Sequence, residues 1–146
     1  MKRRRRQLGL VVVGLVVPAL VAACGSGPAR QPAESAKVEH VAGSDSYRIT
    51  LAPDAAKRLD IKTTAVQPNG TETVIPYSAV LYSATGETWA YVNLKPLAFE
   101  RRRIVVDRIS GDRAILSRGP DLGTAVATAG VPELHGIESG AAAEGR

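Results

Sequence analysis

The 146-residue sequence predicts an all-β domain, a small antiparallel β-barrel or sandwich, on two observations. First, apolar residues recur in short runs of four to eight residues with a period of two, and polar reversals containing Gly, Pro, Asn or Asp separate the runs. Second, the chain has one Phe and one Trp, so valine, isoleucine and leucine must provide most of the packing in a core of roughly 90 residues, a β-rich composition.

The strands follow in order from Tyr47. "YRITLAP" places Tyr47, Ile49 and Leu51 on one face and Arg48 and Thr50 on the other, the pattern of a half-buried strand. Pro53 and Asp54 then open a short helical turn through Leu59, a position where proline costs nothing because the first helical amides lack partners. Ile61–Val66 returns to extended chain, and Gln67–Gly70 is a turn in which Asn69-Gly70 tolerates positive φ. Val74–Tyr82 alternates with apolar groups on both faces, Pro76 lying at a strand start, edge or bulge. Ser83–Thr88 reverses the chain, and Thr88–Leu94 is predicted to return as a hairpin partner, with Trp89 or Tyr91 meeting Val80 or Tyr82. Those aromatics read as packing groups. Pro96 breaks the ladder before the next strand, Phe99–Ile109. Within that strand the alternation puts Arg102 opposite Arg101 and Arg103, so the triplet reads as solvated ladder positions and not as one basic face or a phosphate site. A Gly-Asp turn, a short strand at Arg113–Leu116, a second turn and a last strand at Thr124–Thr128 complete the β pattern. Glu133–His135 reads as a brief turn, and residues 139–146 as a frayed tail.

The N-terminus has a different character. Lys2–Arg6 are five consecutive cations, Leu8–Ala23 is uncharged, and small residues precede Cys24. This is a signal-peptide layout, and the apolar run is shorter than the roughly 20 residues of a membrane-spanning helix. "LVAAC" resembles the lipobox of bacterial lipoproteins. That resemblance implies that residues 1–23 are removed and that the Cys24 sulfur carries a diacylglycerol, fixing the chain to the extracytoplasmic face of a bacterial membrane. Residues 24–46, small, polar and proline-containing, then read as a flexible spacer between lipid and domain, with His40 inside it. The domain proper is expected at residues 47–138.

Charge and residue inventory exclude several functions. The net charge of +5 resides in the leader, because without its five cations 14 basic residues face 14 acidic ones. A near-neutral domain gives no electrostatic ground for nucleic-acid binding. Cys24 is the only cysteine, so no intramolecular disulfide forms. There is no nucleophile elbow and no phosphate loop, and no enzyme or cofactor is expected. His135 with Glu133 and Glu138 is the one local set with metal-ligand chemistry, at unspecific spacing.

Residues Ile75–Gly136 resemble the membrane-proximal region of periplasmic adaptor subunits of tripartite efflux pumps, the membrane fusion proteins. The matching features are Ile75-Pro76-Tyr77-Ser78-Ala79-Val80, Trp89-Ala90-Tyr91-Val92, Phe99-Glu100-Arg101-Arg102, Gly123–Gly130 and Glu133-Leu134-His135-Gly136. Arg48–Val66 is similar to the segment that leads into the core of such adaptors. The chain departs from them at Ala127, at His135, and between Val66 and Ile75, where a short turn replaces the lipoyl-like domain and α-hairpin. The resemblance therefore implies an accessory role in which the domain touches a transporter or another envelope protein without bridging two membranes. Arg101, Arg102 and Arg103, with Leu134 and Glu138, are the expected contact surface, and self-association stays open. The rival expectation is an extracytoplasmic ligand- or metal-binding lipoprotein using Glu133, His135 and Glu138.

Overall fold

A computed structural model describes residues 35–44 and 46–144, all within the unit Pro32–Arg146. The expected signal peptide, the expected lipidation at Cys24, the expected spacer up to residue 34, residue 45 and the last two residues lie outside the described residues.

Among the described residues, ten strands and two α-helices follow one another as β1 (Ala36–His40), β2 (Tyr47–Leu51), α1 (Pro53–Arg58), β3 (Lys62–Ala65), β4 (Gln67–Asn69), β5 (Glu72–Pro76), β6 (Leu81–Tyr82), β7 (Thr88–Lys95), β8 (Ala98–Ser110), β9 (Arg113–Arg118), β10 (Ala125–Ala129) and α2 (Val131–Glu144). All strand pairings are antiparallel. The main path is β3-β10-β7-β8-β9-β5-β4, with β1 joined through β2 to β8 and β6 joined to β7. The two ends of this path, β3 and β4, are separated in sequence by Val66 alone. A seven-strand path whose ends are one residue apart must curl, and the result is an open half-barrel. Val66 is pinned at that corner: its N–H donates to the Thr124 carbonyl at 2.8 Å and its carbonyl accepts from Gly123 N–H at 2.9 Å.

Strand alternation feeds two cores, one on each face of the sheet. Ala90 and Val92 of β7, Ile104 of β8 and Val126 of β10 point into the curl with Val66, Ile75 and Leu116. Tyr91, Phe99 and Ala127 from the same strands point the other way, onto Ile49, Leu51, Val131 and Leu134. This second core departs from the all-β expectation. A barrel with a wet outer face would not need it, but here α2 covers that face, so both sets of alternating residues are apolar.

The sequence conceals α2 because Gly136 and Gly140 each disfavour a helix by about 1 kcal/mol, and because its buried stripe Val131, Leu134, Glu138 carries a glutamate at a core position. Pro132 and Glu133 suit its first turn. The expected frayed tail is therefore helical as far as Glu144.

The expected spacer is likewise structured from Ala36. There β1 pairs with β2 in unbroken register from Ala36↔Leu51 to His40↔Tyr47. Its charged groups, Lys37 and Glu39, face solvent and pair with each other at 2.9 Å, as befits a guarded edge strand.

The expected continuous strand Val74–Tyr82 is split at Pro76. A 3-10 turn over Tyr77–Ala79 follows, so that β5 pairs with β9 while only Leu81 and Tyr82 reach β7, opposite Trp89 and Thr88. The expected turn Gln67–Gly70 is instead strand β4 up to Asn69, which pairs with Glu72, and the chain reverses at Gly70-Thr71 with Gly70 at φ 65°. At Pro96 the chain turns tightly from β7 into β8: Leu97 takes φ 64°, as the third residue of a type II turn requires, and its carbonyl accepts the Leu51 N–H at 2.9 Å.

Gly130 joins β10 to α2 at φ 74°, and a Cβ there would collide with the Ile61 side chain and stand 3.1 Å from the Leu59 carbonyl. Gly130→Ala is therefore expected to cost about 2 kcal/mol, combining left-handed backbone strain with displacement of Ile61. Urea unfolding measures it, and a loss under about 0.5 kcal/mol would show that the junction relaxes freely.

Candidate functional site

The register of β7 against β8 sets Tyr91 opposite Arg101, Ala90 opposite Arg102 and Trp89 opposite Arg103. The three arginines consequently have three different environments.

Arg101 faces α2. Its Nε donates to Glu138 Oε1 at 3.0 Å, and its guanidinium lies 4.4 Å from the centroid of the Trp89 ring. The second Glu138 oxygen accepts from the Tyr91 hydroxyl at 2.5 Å. Glu138 is 3% exposed and Leu134 fully buried. The expectation that Leu134 and Glu138 form a contact surface is corrected accordingly: both belong to the seam between α2 and the sheet, and Arg101 belongs there with them. The periodicity that buries them is helical, which a reading of 133–138 as a turn could not reveal.

Tyr91 is held neutral in this seam. Burial pushes its hydroxyl pKa up, and the hydrogen bond to Glu138 pushes it further in the same direction. A phenol held neutral in the fold but free to ionise near pH 10 when unfolded contributes stability that is fully present below that pH and falls above it, by about 1.4 kcal/mol per pH unit. The alkaline slope of stability is expected to be shallower in Tyr91→Phe than in the native chain. Urea unfolding at several alkaline pH values checks this, and parallel slopes would refute it.

Arg102 and Arg103 are open to solvent, with side chains 55% and 62% exposed. Arg102 Nε bonds Glu100 Oε1 at 2.8 Å, and Arg48 takes the other Glu100 oxygen at 3.1 Å, so this buried carboxylate holds two guanidinia. Arg103 pairs with Glu87 at 2.9 Å. Both arginines line an open groove of about 550 Å³, whose far wall is the loop after β9 with Arg118, Gly119 and Asp121, and Thr124 beyond it. A Cβ at Gly119 would stand 2.5 Å from Leu116 Cδ1, the end of a leucine side chain that would have to shift. Arg118 is exposed and has no ion-pair partner among the described residues.

Three guanidinia, Arg102, Arg103 and Arg118, and one carboxylate, Asp121, thus line the groove, with Arg102 and Arg103 already paired to Glu100 and Glu87. Planar guanidinium forks suit bidentate capture of carboxylate or phosphate oxygens. Arg118 and Asp121 were not legible as site residues, because in sequence they belong to an ordinary Gly-Pro turn.

The metal-ligand set proposed from sequence is not assembled. Both oxygens of Glu138 are engaged by Tyr91 and Arg101, and no group of three His, Cys, Asp or Glu among the described residues is placed to hold an ion. No helix among the described residues is long and apolar enough to cross a membrane. Comparisons of the chain with protein-family models, with curated proteins and with solved structures gave no match.

Proposed function

We propose that this chain is a lipid-anchored, extracytoplasmic adaptor-like accessory protein that holds an acidic segment of an envelope transporter, or of another envelope protein, against its arginine groove. The observation that carries the reading is that Arg102 and Arg118 line one open groove, with Arg103, on the opposite face of β8, at its rim, while the other polar groups first expected to make contact are used internally. An open groove favours a segment of a protein over an enclosed small molecule. The leader and Cys24 supply the anchor in this reading, and the resemblance of Ile75–Gly136 to adaptor subunits supplies the partner class. The tight β4–β5 hairpin stands where full adaptors carry their reaching domains, so the chain acts beside the membrane.

A photocrosslinking residue at Arg118 tests this in cells, with the same residue at Lys57 on α1 as the control. The expected result is a crosslink to an integral membrane protein from position 118 alone, lost when Arg102 and Arg103 are both changed to Glu. Equal crosslinking from both positions, or none from 118, would sink the proposal.

A further inference from the structure

The curl of the sheet does not close. Strand β3 pairs only with β10 and β4 only with β5, and a gap of about 300 Å³ is left between β3 and the end of β5. Ala65 and residues 74–76 give the gap an apolar lining, and Thr64, Gln67, Asp112 and Arg113 bring polar groups to it. The backbone of β3 adds two more. Val66 bonds toward β10 with both its N–H and its carbonyl, so strand alternation turns the N–H and carbonyl of Ala65 the other way, into the gap.

The two charged groups are held in place by the backbone. Arg113 opens β9 directly opposite Pro76, and the Asp112 carbonyl accepts the Tyr77 N–H at 2.7 Å, which fixes the β8–β9 turn over the end of β5. Among the described residues, the side chains of Thr64, Gln67, Asp112 and Arg113 make no hydrogen bond, and neither Asp112 nor Arg113 has an ion pair. The charges on the flanking strands are spent elsewhere, Lys62 on Asp60 and Glu72 on Arg108. One carboxylate and one guanidinium, both unmatched, therefore stand beside an apolar lining. A ligand with a single charge would satisfy one of them and face the other unpaired, whereas a zwitterion satisfies both.

We propose that the gap between β3 and β5 binds a small zwitterion, an α-amino acid with an apolar side chain. Its carboxylate meets Arg113, its ammonium meets Asp112, and its side chain lies against Ala65 and residues 74–76. The cavity stands at the low end of the range for small-molecule sites, which suits an amino acid and not a protein segment. It shares no lining residue with the arginine groove and does not depend on what that groove binds.

Leucine is the probe, with isocaproate, which lacks the ammonium, and isoamylamine, which lacks the carboxylate, as its two half-ligands. Each is added to the full chain in detergent micelles while backbone amide resonances are followed by NMR. Leucine is expected to move the amides of Ala65, Gln67 and Arg113, leave that of Arg118 in place, and bind about fivefold or more tightly than either half-ligand. Arg113→Gln should weaken leucine about fivefold and leave isoamylamine unaffected, and Asp112→Asn should weaken leucine equally and leave isocaproate unaffected. The half-ligands make the same comparison on the native chain, so the test does not hang on either variant. Leucine that moves no amide of the gap overturns the proposal. A half-ligand that binds as tightly as leucine reduces the gap to an apolar pocket and overturns it too, as does leucine binding that is lost in Arg118→Gln but kept in Arg113→Gln.

Discussion

Replacing Arg101 with methionine is expected to destabilise the domain by about 3 kcal/mol at neutral pH. The substitution keeps a long apolar stem over Trp89 and removes the charge that matches Glu138. The Glu138 side chain is only 4% exposed, so water cannot take over from the guanidinium without opening the seam between α2 and the sheet. The Tyr91 hydroxyl stays as a single neutral donor to a buried carboxylate, and one such hydrogen bond does not offset the lost ion pair. The companion change Glu138→Gln in the Arg101→Met background should recover most of the loss, since it removes the unmatched charge and leaves an amide that can still bond Tyr91. Urea unfolding of the two single variants and the double variant measures the coupling. A loss below about 1 kcal/mol for Arg101→Met would mean that the seam is wet and that α2 is only loosely held.

The same seam shows where the sequence could be read and where it could not. Strand β2 was legible because it alternates with a period of two, whereas β7, β8, β9 and β10 were legible as short apolar runs bounded by turn residues, their consecutive buried residues feeding the cores on both faces of the sheet. The opposite placement of Arg102 relative to Arg101 and Arg103 followed from the same alternation, and the register with β7 agrees with it. In β1 only Val38 interrupts charged or small residues, so its strand character comes from pairing with β2 and not from its own pattern. In α2 a buried glutamate and two glycines break the apolar stripe, and the compensating groups, Tyr91 and Arg101, are about 40 positions away in sequence, beyond the reach of any local period. The groove and the β3–β5 gap share that difficulty. Arg118 comes to line one groove with Arg102, and Asp112 one gap with Thr64, only through the tertiary fold.

Leu134→Ala is expected to lower stability by about 3 kcal/mol, because the side chain is fully buried among Ile49, Tyr91, Phe99 and Val131, and truncation there leaves a cavity that neighbours on rigid strands cannot close. Arg103→Ala is expected to cost less than about 1 kcal/mol, since its ion pair with Glu87 is largely exposed to solvent. The pair of variants separates folding from contact. If the arginine groove is the docking surface, partner capture should fall in Arg103→Ala at unchanged stability. In Leu134→Ala it should fall only in proportion to the unfolded fraction, and it should recover at lower temperature or in a stabilising osmolyte. Thermal unfolding followed by circular dichroism gives the stability of each variant, and crosslinking through position 118 gives capture. Loss of capture in Leu134→Ala that persists in fully folded protein would return Leu134 to the contact surface, because a residue buried in the α2 seam has no route to a partner while that seam is closed.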